Sequence, residues 1–147
     1  MALDRDLVGR SYPPSAVYEV GRGKIAEFAT AIGDASPLCR EHAAAQAAGY
    51  PDVIAPPTFA IVITSDANAR LIADPDLGVN YAMVVHGEQS FTHSRPLHAG
   101  DVVVAQSTIE SIKQIRTMTT MATVTEIRTA DGEHVCTARS TLVERGA

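Results

Sequence analysis

Several absences narrow what this chain of 147 residues can be. It has no tryptophan, only two cysteines, and no apolar run near the ~20 residues that a membrane-spanning helix needs. Acidic residues outnumber lysine and arginine by 17 to 12, and the net charge is −5. A nucleic-acid-binding surface needs an excess of basic residues. The sequence therefore predicts a protein that binds neither nucleic acid nor membrane.

The positions of the two cysteines argue against a metal-binding protein. Cys39 and Cys136 lie far apart, form no CxxC pair and have no histidine-rich surroundings, so we expect no metal site. The first residues are charged and contain no apolar stretch of the kind found in a signal peptide. We therefore expect a cytoplasmic protein with reduced thiols.

What is present is the composition of one globular domain, which we assign to residues 1–147. Apolar residues make up 46 % and charged residues 20 % of the chain, an ordinary balance for a domain with its own core. After a short apolar strand at 16–20, the spacing of Ile25, Phe28, Ala29 and Ile32 predicts a helix over 24–32. Gly33 is suited to end that helix.

Two further helices are predicted in the first half of the chain. The first is an alanine-rich segment at 41–48. The second, at 58–73, has Thr58 as its expected cap and an Asp-Pro pair at 74–75 to end it. The latter is apolar nearly all round, which is typical of a buried helix. Its β-branched run at 61–64 leaves a strand there as an alternative.

The second half of the chain predicts an antiparallel sheet. Four segments rich in valine, isoleucine and threonine follow one another with short connections, including Asp131-Gly132, a hairpin turn pair. Helices followed by consecutive strands indicate an α+β fold, with a curved sheet wrapped around one long central helix. Its edge strands would stay unpaired, so we expect edge-to-edge dimerisation. The predicted strands are 81–94, 102–115, 117–129 and 135–143.

Four motifs carry a resemblance to a known family. Residues 33–39 read GDASPLC and follow the helix that contains Phe28, and residues 54–59 read IAPPTF at the start of the central helix. Later come HGEQ at 86–89 and RPLHAGD at 95–101. In this order they resemble the MaoC-like dehydratase and (R)-specific enoyl hydratase family, which has the hotdog fold. The small subunits of bacterial (3R)-hydroxyacyl-ACP dehydratases, which pair with a separate His-bearing subunit, are the most similar branch.

The chain departs from the family pattern at two catalytic elements. The family loop reads GDxNP-aliphatic-His; here Asp34 is kept and Cys39 replaces the histidine. A thiol with a pKa near ~8.5 is mostly protonated at neutral pH and is a poor substitute for imidazole. The family also uses a glycine N–H at the start of the central helix, and Pro57 at that position has none. The resemblance thus implies a subunit that binds the acyl chain and relies on a catalytic partner.

The resemblance also implies the substrate and its contacts. The substrate is an acyl thioester on CoA or acyl carrier protein, with no metal or organic cofactor. Apolar residues such as Ile63 and Val85 could line an acyl channel, although core packing explains them equally well. The candidate substrate-binding residues are Cys39, Pro57, Thr58, Phe59 and Met83, and Lys113 and Arg116 could meet the carrier phosphate.

Other interpretations stay open on the sequence alone. Asp34 could merely shape a turn with Ser36 and Pro37. It could instead act with His42, one turn beyond Cys39, in a self-sufficient homodimeric hydratase. A non-enzymatic acyl-thioester-binding module and a hotdog thioesterase are further alternatives, but no nucleophile-and-base pair favours the thioesterase. The natural assembly would be a homodimer or a heterodimer with a His-bearing hotdog subunit.

Overall fold

A computed structural model describes residues 4–146, and its elements follow the predicted order of helices before strands. Short 3-10 turns at Pro37–Cys39, Pro57–Phe59 and Tyr81–Met83 connect the longer elements. No helix in the described residues combines the length and the apolar character needed to cross a membrane. The helices are α1 (Arg22–Ala31), α2 (His42–Ala47) and α3 (Ala60–Ile72), and the strands are β1 (Tyr18–Glu19), β2 (Val84–His93), β3 (Val102–Ile115), β4 (Met118–Thr129) and β5 (His134–Arg145).

The five strands form one antiparallel sheet in the order β1-β3-β4-β5-β2. Alternate residues of β3, from Val103 to Ile109, are fully buried and face α3, which packs across β3, β4 and β5. Shifts of register in β2, between His86 and Glu88, and in β3 bend the strands around the helix. This curled sheet around one long helix confirms the predicted α+β hotdog architecture.

The start of α3 differs from the prediction. Thr58 does not cap the helix, because α3 begins at Ala60 after a 3-10 turn, and its N-cap residue is Phe59 without a side-chain hydrogen bond. The Phe59 N–H instead donates to the Pro56 carbonyl oxygen at 2.9 Å. Thr58 lies inside this turn, whereas a residue that caps a helix with its side chain typically has an extended backbone, so its hydroxyl is not placed as a cap. Residues 61–64 are helical, so the alternative strand there is excluded.

Instead of the predicted strand 81–94, the structure has a strand that begins three residues later, at Val84. Residues Tyr81–Met83 form a 3-10 turn, and the Asn80 side chain accepts a hydrogen bond from the Ala82 N–H at 3.2 Å. Asparagine is a good N-cap residue because its side-chain oxygen satisfies an N–H that the turn leaves unpaired. Residues 81–83 are apolar, and for that reason the sequence pattern assigned them to the strand.

The two edges of the sheet are not equivalent. The outer edge of β3 is covered by β1 and by the preceding segment, in which the N–H groups of Gly9, Tyr12 and Ser15 donate to β3 carbonyl oxygens at 2.7–2.9 Å. Within residues 4–146, the outer edge of β2 has no paired strand. Val85 on β2 is 41 % exposed. The expected open edge is therefore present in β2.

Candidate functional site

The loop at residues 33–39 is a tight turn that places Asp34 directly after α1. Gly33 ends the helix with φ of +73°, a conformation that suits glycine. The Asp34 carboxylate oxygen Oδ1 accepts a hydrogen bond from the Ser36 N–H at 2.9 Å. The Ser36 hydroxyl in turn accepts from the Leu38 N–H at 3.3 Å. Asp34 therefore shapes the turn, and its Oδ2 forms no hydrogen bond within residues 4–146.

Cys39 lies at the end of this turn and is only 3 % exposed. It belongs to the same buried cluster as Phe59 and Ile63. Burial raises the pKa of the Cys39 thiol, and the nearby Asp34 carboxylate raises that pKa further, against a smaller lowering by Arg40. The residue predicted to replace the family's histidine is thus a protonated thiol packed beside the central helix.

Both thiols are expected to react slowly with iodoacetamide at neutral pH. Burial raises the pKa of Cys136 to about 11, which lowers its thiolate fraction by more than about 100-fold relative to an ordinary cysteine. Alkylation followed by mass spectrometry should show Cys136 reacting more slowly than Cys39, and both more slowly than in urea. The rates should rise with pH, because alkylation uses the thiolate. Equal rates in the folded and the urea-unfolded chain would contradict the burial of these thiols.

His42 lies in a separate ion-pair cluster in the first turn of α2. Its Nδ1 is 3.2 Å from Asp52 Oδ1 and 3.1 Å from Arg22 Nη2. Arg22 also donates to both Asp52 oxygens at 2.9 and 2.8 Å, and this guanidinium holds the pKa of Asp52 well below its usual range. No hydrogen bond joins His42 to Asp34 in the described part of the chain. The fold brings Asp34 and Cys39 together and holds the His42 ring by other partners.

A cleft of about 320 Å³ opens at the start of α3. His93, at the end of β2, closes one side of it, with Nε2 2.9 Å from the Pro57 carbonyl oxygen. A carbonyl only accepts hydrogen bonds, so Nε2 carries a proton. Nδ1 is buried and has no partner in residues 4–146. The cleft is lined by Ile54, Ala55, Pro57, His93, Ser94, Arg95 and Pro96.

The remaining predicted residues fall in different environments. Pro57 lines the cleft, Thr58 is exposed beside it, and Phe59 is fully buried with its ring edge-to-face against Phe28 at 5.4 Å. Met83 is half-buried in the turn before β2. Lys113 and Arg116 are exposed at the β3–β4 hairpin. Among the described residues there is no group of three or more His, Cys, Asp or Glu arranged to hold a metal ion.

Sequence reasoning missed a polar network beside the cleft. The Ser94 hydroxyl is hydrogen-bonded to His134 Nδ1, and His134 Nε2 lies 3.1 Å from Glu126 Oε2. Thr137 joins the network, with its hydroxyl 2.8 Å from His134 Nε2 and 3.0 Å from Glu126 Oε1. These residues are distant in sequence. Only the pairing of Glu126 with Thr137 across β4 and β5, and of β2 with β5, brings them together.

Known structures share this fold over nearly the whole chain. The HadBC (3R-hydroxyacyl-ACP dehydratase) complex from Mycobacterium tuberculosis contains a chain with a TM-score of 0.84 and 28 % identity, covering 94 % of this chain and 97 % of that one. A MaoC-like dehydratase matches with a TM-score of 0.87 and 30 % identity, over 96 % of this chain and 43 % of that one. The fold and the loop at residues 33–39 therefore assign this chain to the class of hotdog dehydratases and hydratases.

The sequence comparisons narrow this class to a family. Residues 6–138 match the FAS1-like dehydratase domain region. A UPF0336 protein from Saccharopolyspora erythraea is 52 % identical over 99 % of this chain and 94 % of its own length. The chain belongs to the FAS1-like dehydratase domain family.

Proposed function

We propose that this chain is a subunit of a (3R)-hydroxyacyl-thioester dehydratase or enoyl hydratase of fatty-acyl metabolism. It binds the acyl thioester, carried on CoA or acyl carrier protein, and takes its catalytic imidazole from a partner chain. One observation carries the proposal. Asp34 stands at the head of the loop, but the residue five positions later is a buried thiol with a raised pKa, and no imidazole is hydrogen-bonded to Asp34 in residues 4–146.

The chemistry explains why a partner is needed. Adding water across a 2-enoyl thioester needs a base for the proton of the water, a second polar group to orient the water, and donors at the thioester carbonyl. Asp34 can fill one of the first two roles. The Cys39 thiol is no base at neutral pH, and Pro57 has no N–H to donate. Loss of a positioned base slows such a reaction by about 100- to 10,000-fold.

The open edge of β2 supports pairing with a second hotdog subunit. A strand with unpaired N–H and C=O groups can extend its sheet by hydrogen bonds to another chain. The opposite edge of the sheet is covered by the segment preceding β1. The similar chain from Mycobacterium tuberculosis belongs to a (3R)-hydroxyacyl-ACP dehydratase complex. We infer that β2 is the pairing surface, for a homodimer or for a heterodimer.

Purified chain is expected to hydrate crotonyl-CoA no faster than buffer. Mixing it with a His-bearing hotdog subunit of the same organism, whose loop reads GDxNP-aliphatic-His, should give turnover by the mixture. Val85→Lys should lower that turnover and the amount of complex in size-exclusion chromatography, since lysine on an edge strand opposes pairing. Val102→Lys is the matched control, because Val102 is also 40 % exposed but lies on β3, where it is already paired with Glu19 of β1.

Two results would contradict the proposal. Turnover by the chain alone that disappears in His42→Ala would favour a self-sufficient hydratase. Saturable binding of acyl-CoA, with no turnover in any mixture, would favour a non-enzymatic acyl-binding module.

A further inference from the structure

We propose that Ser94 is an acyl-accepting nucleophile, activated by His134 and oriented through Glu126. This would give the chain a second reaction, the hydrolysis of an ester or thioester in the cleft beside α3. The proposal stands on the Ser94–His134–Glu126 network alone. It is independent of the loop at Asp34 and of any partner subunit.

The hydrogen bonds determine which nitrogen of His134 is the base. The Thr137 hydroxyl donates to Glu126 Oε1 at 3.0 Å, so its single proton is used there. The contact of 2.8 Å between Thr137 Oγ1 and His134 Nε2 must then have Nε2–H as donor. Glu126 Oε2, at 3.1 Å, favours the same proton position. In the neutral ring Nδ1 is therefore unprotonated, and it accepts the hydrogen bond from the Ser94 hydroxyl.

The arrangement has the order of roles found in hydrolytic triads: hydroxyl, imidazole and carboxylate. The nitrogen that faces away from the Ser94 hydroxyl, Nε2, is hydrogen-bonded to Thr137, which donates to Glu126, and Glu126 Oε2 lies 3.1 Å from Nε2. The hydroxyl is exposed at the end of β2, where the Ser94 N–H donates to the Val135 carbonyl oxygen at 2.9 Å. Two adjacent strands thus fix the nucleophile and its base.

The surroundings of Ser94 suit an acyl group. Ser94 lines the same cleft as Ile54, Ala55 and Pro57, which form an apolar wall. The neighbouring Arg95 is held by Asp101 and Glu133 and lines the cleft as well. A guanidinium has five N–H donors, and four are used by the hydrogen bonds found in residues 4–146. The remaining Nη2–H forms no hydrogen bond within residues 4–146, and the guanidinium supplies positive charge at the cleft.

The reaction has two balanced steps. Ser94 Oγ attacks the acyl carbonyl carbon, its proton moves to His134 Nδ1, and the bond from carbon to the leaving oxygen or sulfur breaks. The leaving group takes the proton from Nδ1 and departs as an alcohol or thiol. Water then attacks the Ser94 ester and gives a proton to Nδ1, which returns it to Ser94 Oγ as the carboxylic acid leaves.

The chain contains a matched control pair on the same two strands. The Ser140 hydroxyl is 3.1 Å from His86 Nε2. In the described residues no carboxylate contacts that ring. Ser140 is therefore a serine beside a histidine without the orienting acid, and it should not be acylated.

The test uses the full chain and p-nitrophenyl butyrate. We expect one equivalent of p-nitrophenolate in a rapid burst and one butyryl group on Ser94 by peptide mass spectrometry. Ser94→Ala and His134→Ala should slow acylation by at least about 100-fold, the usual effect of losing a nucleophile or base. Ser140→Ala should acylate at the wild-type rate. Far-UV circular dichroism checks that each variant is folded.

Glu126 is a positioning residue and needs a separate measurement. Glu126→Gln keeps the size of the side chain but removes the negative charge 3.1 Å from His134 Nε2. It should lower kcat by about tenfold or more and leave KM unchanged. The proposal is overturned if the wild-type chain takes no acyl group, if Ser94→Ala acylates as fast as wild type, or if the label lies on Ser140.

Discussion

A chain carrying Cys39→His together with Pro57→Gly is expected to hydrate crotonyl-CoA at least about 100-fold faster than the wild-type chain alone. Position 39 is close enough to Asp34 for the carboxylate to raise the pKa of the present thiol. An imidazole there would feel the same negative charge, which favours its role as a base. Glycine at 57 adds an N–H at the start of the central helix, where the helix dipole favours a developing negative charge.

The double variant carries a cost in stability that the experiment must follow. Cys39 is buried, and a larger side chain in a packed core costs about 1–3 kcal/mol. Urea denaturation shows whether the variant is folded at the assay temperature. The control is the double variant with Asp34→Asn added, which should lose the gain in hydration rate. A folded double variant that is no faster than wild type would show that residues 34–39 do not form a dehydratase site.

Arg95→Met is expected to destabilise the fold by about 3–5 kcal/mol, the usual cost of leaving one partner of a buried ion pair alone. The Asp101 side chain is only 5 % exposed. Arg95 donates to both of its oxygens, at 2.9 and 2.8 Å, and the His98 N–H donates to it at 2.9 Å. Methionine removes the charge and both guanidinium bonds. Within residues 4–146, the buried Asp101 carboxylate then keeps only the His98 N–H and the His98 ring, whose Nε2 is 3.4 Å away.

Urea denaturation of the purified variants measures this effect. Lys24→Met is the matched control, because the Lys24–Glu27 pair is exposed on both sides and contributes well under about 1 kcal/mol. The stability of Arg95→Lys should lie between those of Arg95→Met and wild type, since lysine keeps the charge but cannot form both bonds with the same geometry. An Arg95→Met chain as stable as Lys24→Met would mean that Asp101 is solvated in the folded protein.

Local patterns predicted most of the architecture. The predicted strand 102–115 coincides with β3, because the segment is rich in valine, isoleucine and threonine, which favour strands. Gly33 ends α1 as expected, with a positive φ that suits glycine. The start of α3 was harder to predict, because Thr58 belongs to a 3-10 turn, Pro57–Phe59, that precedes the helix. Nothing in the local sequence distinguishes this turn from a helix that begins at Thr58.

The candidate site also contains some features that the sequence predicts and others that only the folded chain creates. The sequence by itself determined that an aspartate and a thiol stand five positions apart directly after a helix-ending glycine. The hydrogen bonds of Ser36 and Leu38 in the folded loop then close the turn between them. The sequence also determined the α+β class, through the order of the helical segments and the consecutive strand segments. Only the tertiary structure decided that Ser94, Glu126 and His134 meet. Strand register sets such contacts between distant segments, and register depends on the packing of the whole sheet against α3.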